Sequence, residues 1–458
     1  MRNKKVFVLG IDGAPPELIF NEWLDDLPVI KKLMLEGTYA KLNSTIPPVS
    51  AVAWISMCTG KLPSDHGVFD YICRKNNSYE DISVVSTDNV QEESVWEILS
   101  RYNKKSIFRL IPVTLPIKPF DGIGVSGFLT PRVKRDYVYP SHLQQEVESL
   151  FDEPFIIDIE KHRDLSKEDL LEKIYKMTEM HFKLMKHMIK NKQWDLFWGV
   201  IMGSDRMNHN FWRFFDKGHR RYENNLEFET ALKDYYKFLD KNLGELIQLL
   251  DDDTTIIVVS DHGIQKMDTR VNLSDWLIKE GYLVLKEPVK EKMKFTMDMV
   301  NWDETRVFAR GAWDGQIFLN LKGREEKGIV NEDEYENLIE ELEMKLKQIK
   351  GDDEKVLDTK IFKKKDYSGK FDNIAPDMII YFDNLNYGCN TTLIGNPTFW
   401  SPQTAIGSDD VTHSKKGIFI TNNSQKGNIG EIGIIDIAPT ILNELEVPIP
   451  KDMKGEIL

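Results

Sequence analysis

The chain has 458 residues, 41% hydrophobic and 29% charged, with a formal charge of −14. That balance belongs to a folded globular chain, and the acidic excess excludes an overall electrostatic footprint for nucleic acid or an anionic membrane. Three cysteines, Cys58, Cys73 and Cys389, exclude a disulfide framework and a four-cysteine zinc site. The basic N-terminal residues precede an apolar run too short for a signal h-region, and no run reaches the roughly 18–20 apolar residues of a membrane span. The expected home is the cytoplasm.

Val6–Ile11 is an almost continuous apolar run, the pattern of a strand buried on both faces in a parallel sheet. Asp12-Gly13 follows at its C-terminal end, where open α/β sheets hold their ligands. Residues 16–24 read as a short helix. A second helix starts at Pro28, carries Val29, Ile30, Leu33 and Met34 on one face, and stops at Gly37. Residues 47–67, PPVSAVAWISMCTGKLPSDHG, place Ser50 just before an apolar helical run with Trp54, Ile55 and Met57. On local grounds Ser50 is a helix N-cap. The same position, beside backbone N–H donors and the positive end of the helix dipole, also suits a hydroxyl that meets a phosphate.

A helix is expected over 93–102 and a buried strand at Ser106–Ile111. The one GxGxxG run, residues 122–127, follows a proline-containing segment and precedes Pro131, so it reads as a loop and not as a dinucleotide turn. Residues 167–190 form a long amphipathic helix whose His181 and His187 serve packing and surface. Residues 195–202 read as a strand running into Gly203-Ser204-Asp205-Arg206-Met207-Asn208-His209. Asp205 and His209, four apart, face the same way on a helical turn, and carboxylate with imidazole suits zinc, manganese or iron. Residues 222–250 read as a long helix. Residues 254–260, TTIIVVS, form the clearest buried strand and feed into Asp261-His262-Gly263.

From Ile264 to Gly407 the character changes. There is mixed charge at 286–294, strands at 316–321 and 377–382, and a charged helix over 331–349 with a solvated face. Residues 264–407 are therefore expected to be an inserted cap region on a core made of 1–263 and 408–458. Near the end, Asp410-Val411-Thr412-His413 precedes an apolar strand at 417–421, and residues 434–445 read as a closing helix.

Four strand ends or loops thus carry Asp12, Asp205 with His209, Asp261 with His262, and His413. In an α/β sheet such ends converge on one crevice. The blocks VFVLGIDG, PPVSAVAWISMCTGKLPSDHG, GSDRMNHNFW, VVSDHGI, THSKKGIFI and DIAPTILNEL resemble the alkaline phosphatase superfamily, and within it the type I phosphodiesterase/nucleotide pyrophosphatase family. The resemblance implies a three-layer α/β/α sandwich with a mostly parallel central sheet. It implies two divalent metal ions, zinc or manganese, one held by Asp12, Ser50, Asp261 and His262, the other by Asp205, His209 and His413. Ser50 would be the nucleophile of a phosphate-ester hydrolase of phosphodiesterase/pyrophosphatase type, acting on a small phosphorylated substrate through a phosphoserine.

Two positions depart from the family's pattern. Serine stands where threonine is commoner, and Ala53 stands where the nucleotide pyrophosphatase branch has an asparagine. The alternatives are a phosphomonoesterase or phosphomutase of the same superfamily, or a non-catalytic metal-binding protein. The x-Pro-x-Arg sulfatase signature is missing, with Val52 and Trp54 in its places. Arg206, next to Asp205, is expected to touch substrate phosphate or to form a salt bridge, and His66 to order its loop.

Overall fold

The computed structural model describes residues 4–131, 136–311, 313–367, 369–390, 392–393, 400–401, 409–423 and 426–458. The chain divides into two compact units. One comprises Met1–His66, Val85–Ile264 and His413–Leu458, the other Gly67–Val84 and Gln265–Thr412.

The first unit is built on a nine-stranded sheet. In chain order its strands are β1 (Val6–Ile11), β2 (Thr38–Asn43), β3 (Ser106–Ile111), β4 (Gly122–Ser126), β5 (Val138–Tyr139), β6 (Leu196–Ile201), β7 (Thr255–Val259), β8 (Lys416–Thr421) and β9 (Gly427–Gly433). They lie in the order β9-β2-β8-β7-β1-β6-β3-β4-β5. The central strands β7, β1, β6, β3 and β4 are all parallel, with β1 paired to β6 from Val6↔Leu196 to Ile11↔Ile201. Every residue of β1, β3 and β6 is buried, as their unbroken apolar runs require. β8 runs antiparallel to both β7 and β2.

Helices cover the sheet. The relevant ones are α1 (Pro28–Glu36), α2 (Ser50–Thr59), α3 (Val95–Ser100), α4 (Lys167–Asn191), α5 (Gly203–Phe215), α6 (Ala231–Ile247) and α7 (Ile437–Glu444). On one face Trp54 and Met57 of α2, Trp96 of α3 and Ile441 of α7 pack against Val8, Trp198 and Val259 of the sheet. Ser166 opens α4 by accepting the Asp169 N–H at 3.1 Å. His181 is buried within that helix, and His187 pairs with Glu146 at 2.7 Å.

Two expectations are corrected here. Residues 122–126 are not a loop but strand β4, parallel to β3. Gly124 is needed because a Cβ there would sit 2.7 Å from the Phe108 ring, which stacks on Phe120 at 5.2 Å. At Gly122 a Cβ would instead meet the Ser106 carbonyl oxygen at 1.8 Å, so that glycine serves close strand pairing. The helix expected over 222–250 is confined to Ala231–Ile247. Upstream, the Asn225 side chain accepts the Glu227 N–H at 2.9 Å, a local turn that competes with helix.

The second unit has its own core. Strands Val307–Arg310, Gly315–Leu319, Met378–Tyr381 and Lys360–Lys363 form an antiparallel sheet in that order. Helix Tyr335–Leu346 buries Leu338, Ile339, Leu342 and Leu346 in the same cluster as Phe308, Phe318 and Ile380. The hairpin Ile72–Arg74 with Ile82–Val84 also belongs to this unit. Among the described residues no helix is long and apolar enough to cross a membrane.

Candidate active site

The parallel strands deliver their C-terminal ends to one edge of the sheet. Asp12 follows β1 directly, Asp205 and His209 lie on α5 just past β6, and Asp261 and His262 follow β7. Because β8 is antiparallel, its N-terminal side lies at that same edge, which is where His413 stands. Ser50 is the first residue of α2. All seven residues singled out in the sequence as nucleophile or ligand meet in this one place within the first unit, and all are buried.

Ser50 is not the N-cap. Val49 holds that position, with extended backbone and no side-chain cap. The Ser50 hydroxyl turns instead to the carboxylates and imidazoles, with Oγ 3.0 Å from His262 Nε2 and 3.4 Å from Asp12 Oδ1. The other Asp12 oxygen, Oδ2, accepts the Trp54 indole N–H at 2.7 Å. Trp54 sits one helical turn after Ser50, so a single face of α2 carries both groups. The Asp12 carboxylate is thereby held with one oxygen on the indole and one toward Ser50.

The histidines are held in the same manner. His262 Nδ1 lies 3.0 Å from the Gly263 carbonyl and His413 Nδ1 lies 2.8 Å from the Pro48 carbonyl. Each Nδ1–H donates to its carbonyl, which puts the lone pair on Nε2, facing the cluster. His262 Nε2 is 3.3 Å from Asp261 Oδ2 and 3.6 Å from Asp12 Oδ1. His209 Nε2 is 3.1 Å from Asp205 Oδ1 and 3.3 Å from His413 Nε2. The His262 and His413 rings stack, centroids 3.9 Å apart. Gly13, in the left-handed region at φ 66°, gives its N–H to Asp261 Oδ1 at 3.2 Å.

The electrostatics divide along the cluster. Burial, and then the negative charges of Asp261 and Asp205, hold the Asp12 carboxyl well above the usual range. Asp261 is raised as well, by burial first and by Asp205. For Asp205 burial pushes up, but His209, Arg206 and His413 outweigh it and leave the carboxyl well below its ordinary value. Burial, then His262 and His209, drives the His413 imidazole far down.

These residues fit divalent cations. Asp12, Asp261 and His262 bring one ligand atom each within 4.8 Å of one another, and so do Asp205, His262 and His413. Asp261 Oδ2 is buried and accepts no hydrogen bond. Three buried carboxylates crowd one site, and buried charge of one sign needs the other sign nearby. Imidazole lone pairs and carboxylate oxygens form a mixed N,O donor set of the kind that holds divalent metal ions.

Arg206 does not reach into this set with a spare edge. Its Nε and Nη2 bind the Asp158 carboxylate at 3.0 and 2.6 Å, and Nη1 binds Asp205 Oδ2 at 2.7 Å. His66 is buried, with Nε2 2.9 Å from Ser56 Oγ, and burial lowers its pKa to about 3. Sequence reading did not single out Trp54, Ser204, Asn208 or Asp158. Ser204 Oγ donates to the Asp12 carbonyl at 2.6 Å and Asn208 Nδ2 to the Gly13 carbonyl at 2.9 Å, so α5 fastens the Asp12-Gly13 turn. Their place within the Asp205–His209 block was the available signal. Asp158 has no motif around it.

A model of the family "Type I phosphodiesterase / nucleotide pyrophosphatase" matches residues 6–392. No curated protein sequence matches the chain. Among solved structures, murine ectonucleotide pyrophosphatase/phosphodiesterase 5, in an inactive form with AMP, is similar with a TM-score of 0.54 at 13% identity, covering 99% of this chain and 97% of that one. Phosphonoacetate hydrolase from Sinorhizobium meliloti 1021, in complex with phosphonoformate, gives a TM-score of 0.63 at 12% identity, covering 97% and 96%. At these identities the structures speak for the fold, a mixed α/β architecture with a large, mostly parallel sheet.

Proposed function

Because the chain belongs to the type I phosphodiesterase/nucleotide pyrophosphatase family, a family of phosphoester hydrolases, we propose that it cleaves a phosphate ester of a small substrate with Ser50 as nucleophile. Asp12, Asp261, His262 and Ser50 would hold one divalent ion, and Asp205, His209 and His413 the other, zinc or manganese in each. The observation that carries this reading is the turn of the Ser50 hydroxyl away from capping and toward His262 and Asp12. Bound ions would make that hydroxyl more acidic and offset the negative charge of the phosphoryl group.

Ser50 Oγ attacks phosphorus in line with the departing oxygen and becomes a phosphoserine, which water then hydrolyses. At the head of α2 the N–H groups of Ala51 and Val52 have no acceptor within the helix, and they and the dipole favour negative charge beside Ser50. Trp54 fixes the Asp12 carboxylate, and the Gly263 and Pro48 carbonyls fix the two imidazoles. Arg206, engaged by Asp158 and Asp205, positions Asp205 and is not assigned to substrate.

One observation favours a second reading, a phosphomonoesterase or phosphomutase. Ala53 is fully buried in the apolar core, so α2 offers no side-chain amide to a phosphoryl oxygen at that position.

The test compares p-nitrophenyl phosphate with bis-p-nitrophenyl phosphate in the presence of Zn²⁺ or Mn²⁺. Hydrolysis that stops with EDTA and disappears in Ser50→Ala, with metal binding retained, supports the proposal. Full activity in Ser50→Ala defeats it, and a strong preference for the monoester selects the second reading.

A further inference from the structure

The second unit contains a cavity of about 630 Å³, within the size range of small-molecule sites. One wall is the hairpin Ile72–Arg74 with Ile82–Val84, and Phe295, Met297, Ala309 and Phe318 line it elsewhere. Ile72 and Ile82 line the cavity and yet each is 44% exposed. Apolar side chains gathered at an open cavity mark a surface that gains from being covered.

Two guanidinium groups line the same cavity, and they differ. Arg74 is satisfied, since Nη2 donates to the Glu325 carboxylate and the Asn77 carbonyl, and Nε to the Ser78 carbonyl at 3.0 Å. Arg310 gives Nη2 to the Tyr79 carbonyl at 2.6 Å, while its Nε is buried and has no hydrogen-bond partner. Burial, and then the positive charge of Arg74, lowers the Arg310 pKa to about 10. Asp70 also lines the cavity, but its Oδ1 accepts the Tyr71 N–H at 2.6 Å. The Arg310 guanidinium, partly buried and lining the cavity, offers charge-assisted bonds, the strong ones, to an acceptor placed there. The carboxylates of Asp70 and Glu325 already act on the guanidinium, which favours a partner with a single negative charge over a dianion.

We propose that this cavity binds an amphiphilic monoanion, a molecule with an apolar body that fills the space under the hairpin and one carboxylate or phosphodiester head on Arg310. The site lies wholly within the second unit and does not depend on the phosphoester chemistry assigned above. Two sources supply that chemistry. The head is either the carboxylate of a free organic acid or the phosphodiester of a free amphiphile, and in either case the ligand acts as an effector.

Isothermal titration of the metal-loaded full chain with decanoate, decanol and inorganic phosphate tests it, repeated in Ser50→Ala so that turnover plays no part. Decanoate should bind with a Kd below about 1 mM and about tenfold more tightly than decanol. Arg310→Gln should abolish that preference, Arg310→Lys should keep part of it, and Ile72→Asp should weaken both ligands. A dialkyl phosphate titrated in parallel with decanoate distinguishes the two heads. The proposal falls if decanoate and decanol bind wild-type protein equally, if neither binds, or if a folded Arg310→Gln keeps full preference for the acid. The wild-type ratio decides by itself should Arg310→Gln fail to fold.

Discussion

The two ends of the buried cluster hold their carboxylates under opposite conditions. Asp12 and Asp261 face each other with one indole N–H, one backbone N–H and His262, and both are pushed up. Asp205 has Arg206, His209 and His413 around it and is pushed down. One end is short of positive charge and the other is largely compensated by the protein. Positive charge is therefore scarcest at Asp12, whereas around Asp205 the protein already supplies much of it.

The largest expected effect tests the end at which Ser50 lies. Ser50→Ala should lower phosphoester turnover by at least about a thousandfold, with two metal equivalents still bound by elemental analysis. Next come the carboxylates themselves. Asp12→Asn and Asp205→Asn should each cost more than the roughly 10- to 100-fold in metal affinity that a partner of a ligand costs.

In EDTA the two variants should part company. Asp12 and Asp261 have folded-state pKa values above those of the unfolded chain, so their contribution to stability is present below about pH 4 and is lost as pH rises through the folded values. Asp205 is the reverse, its contribution present above about pH 4 and lost as pH falls. At pH 7 metal-free Asp12→Asn should therefore melt about 2–4 °C higher than wild type, and Asp205→Asn lower by a similar amount. Equal shifts of one sign in a thermal melt would end the comparison.

Trp54→Phe keeps the ring and removes the N–H that holds Asp12 Oδ2. It should weaken metal binding roughly 10- to 100-fold, and a titration showing unchanged affinity would remove Trp54 from the site. The smallest effect belongs to Asp158→Asn, which loosens Arg206 behind Asp205. A drop in kcat of less than about tenfold with KM unchanged is expected, and a large rise in KM would instead assign Arg206 to substrate.

The strand ends were legible because buried parallel strands are uninterrupted apolar runs, and the first polar residue after each run is conspicuous. Asp12, Asp261 and His262 stand out in this way, and the Asp205–His209 spacing fits one helical turn. β4 was not legible, since two branched residues between glycines give no periodicity; Gly124 makes room for the Phe108 ring, and Gly122 lies against the Ser106 carbonyl of the neighbouring strand. The role of Trp54 was hidden for another reason. An indole four residues after Ser50 reads as core, and it is core, but its N–H leaves the core to meet Asp12. Gly67–Val84 joins the second unit although some 180 residues separate it from Gln265, a pairing that local composition does not encode.

The antiparallel course of β8 bears on how the protein is made. Asp12 emerges before the second unit, yet the ring that stacks on His262 is His413, reached only after the whole second unit has left the ribosome. A nascent chain stalled within residues 265–412 has most of the sheet and the Asp205–His209 pair but cannot complete the cluster. Closing so distant a loop is tolerable in entropy, which grows only slowly with length. Assembly of the full seven-residue cluster thus reports that translation has passed residue 413.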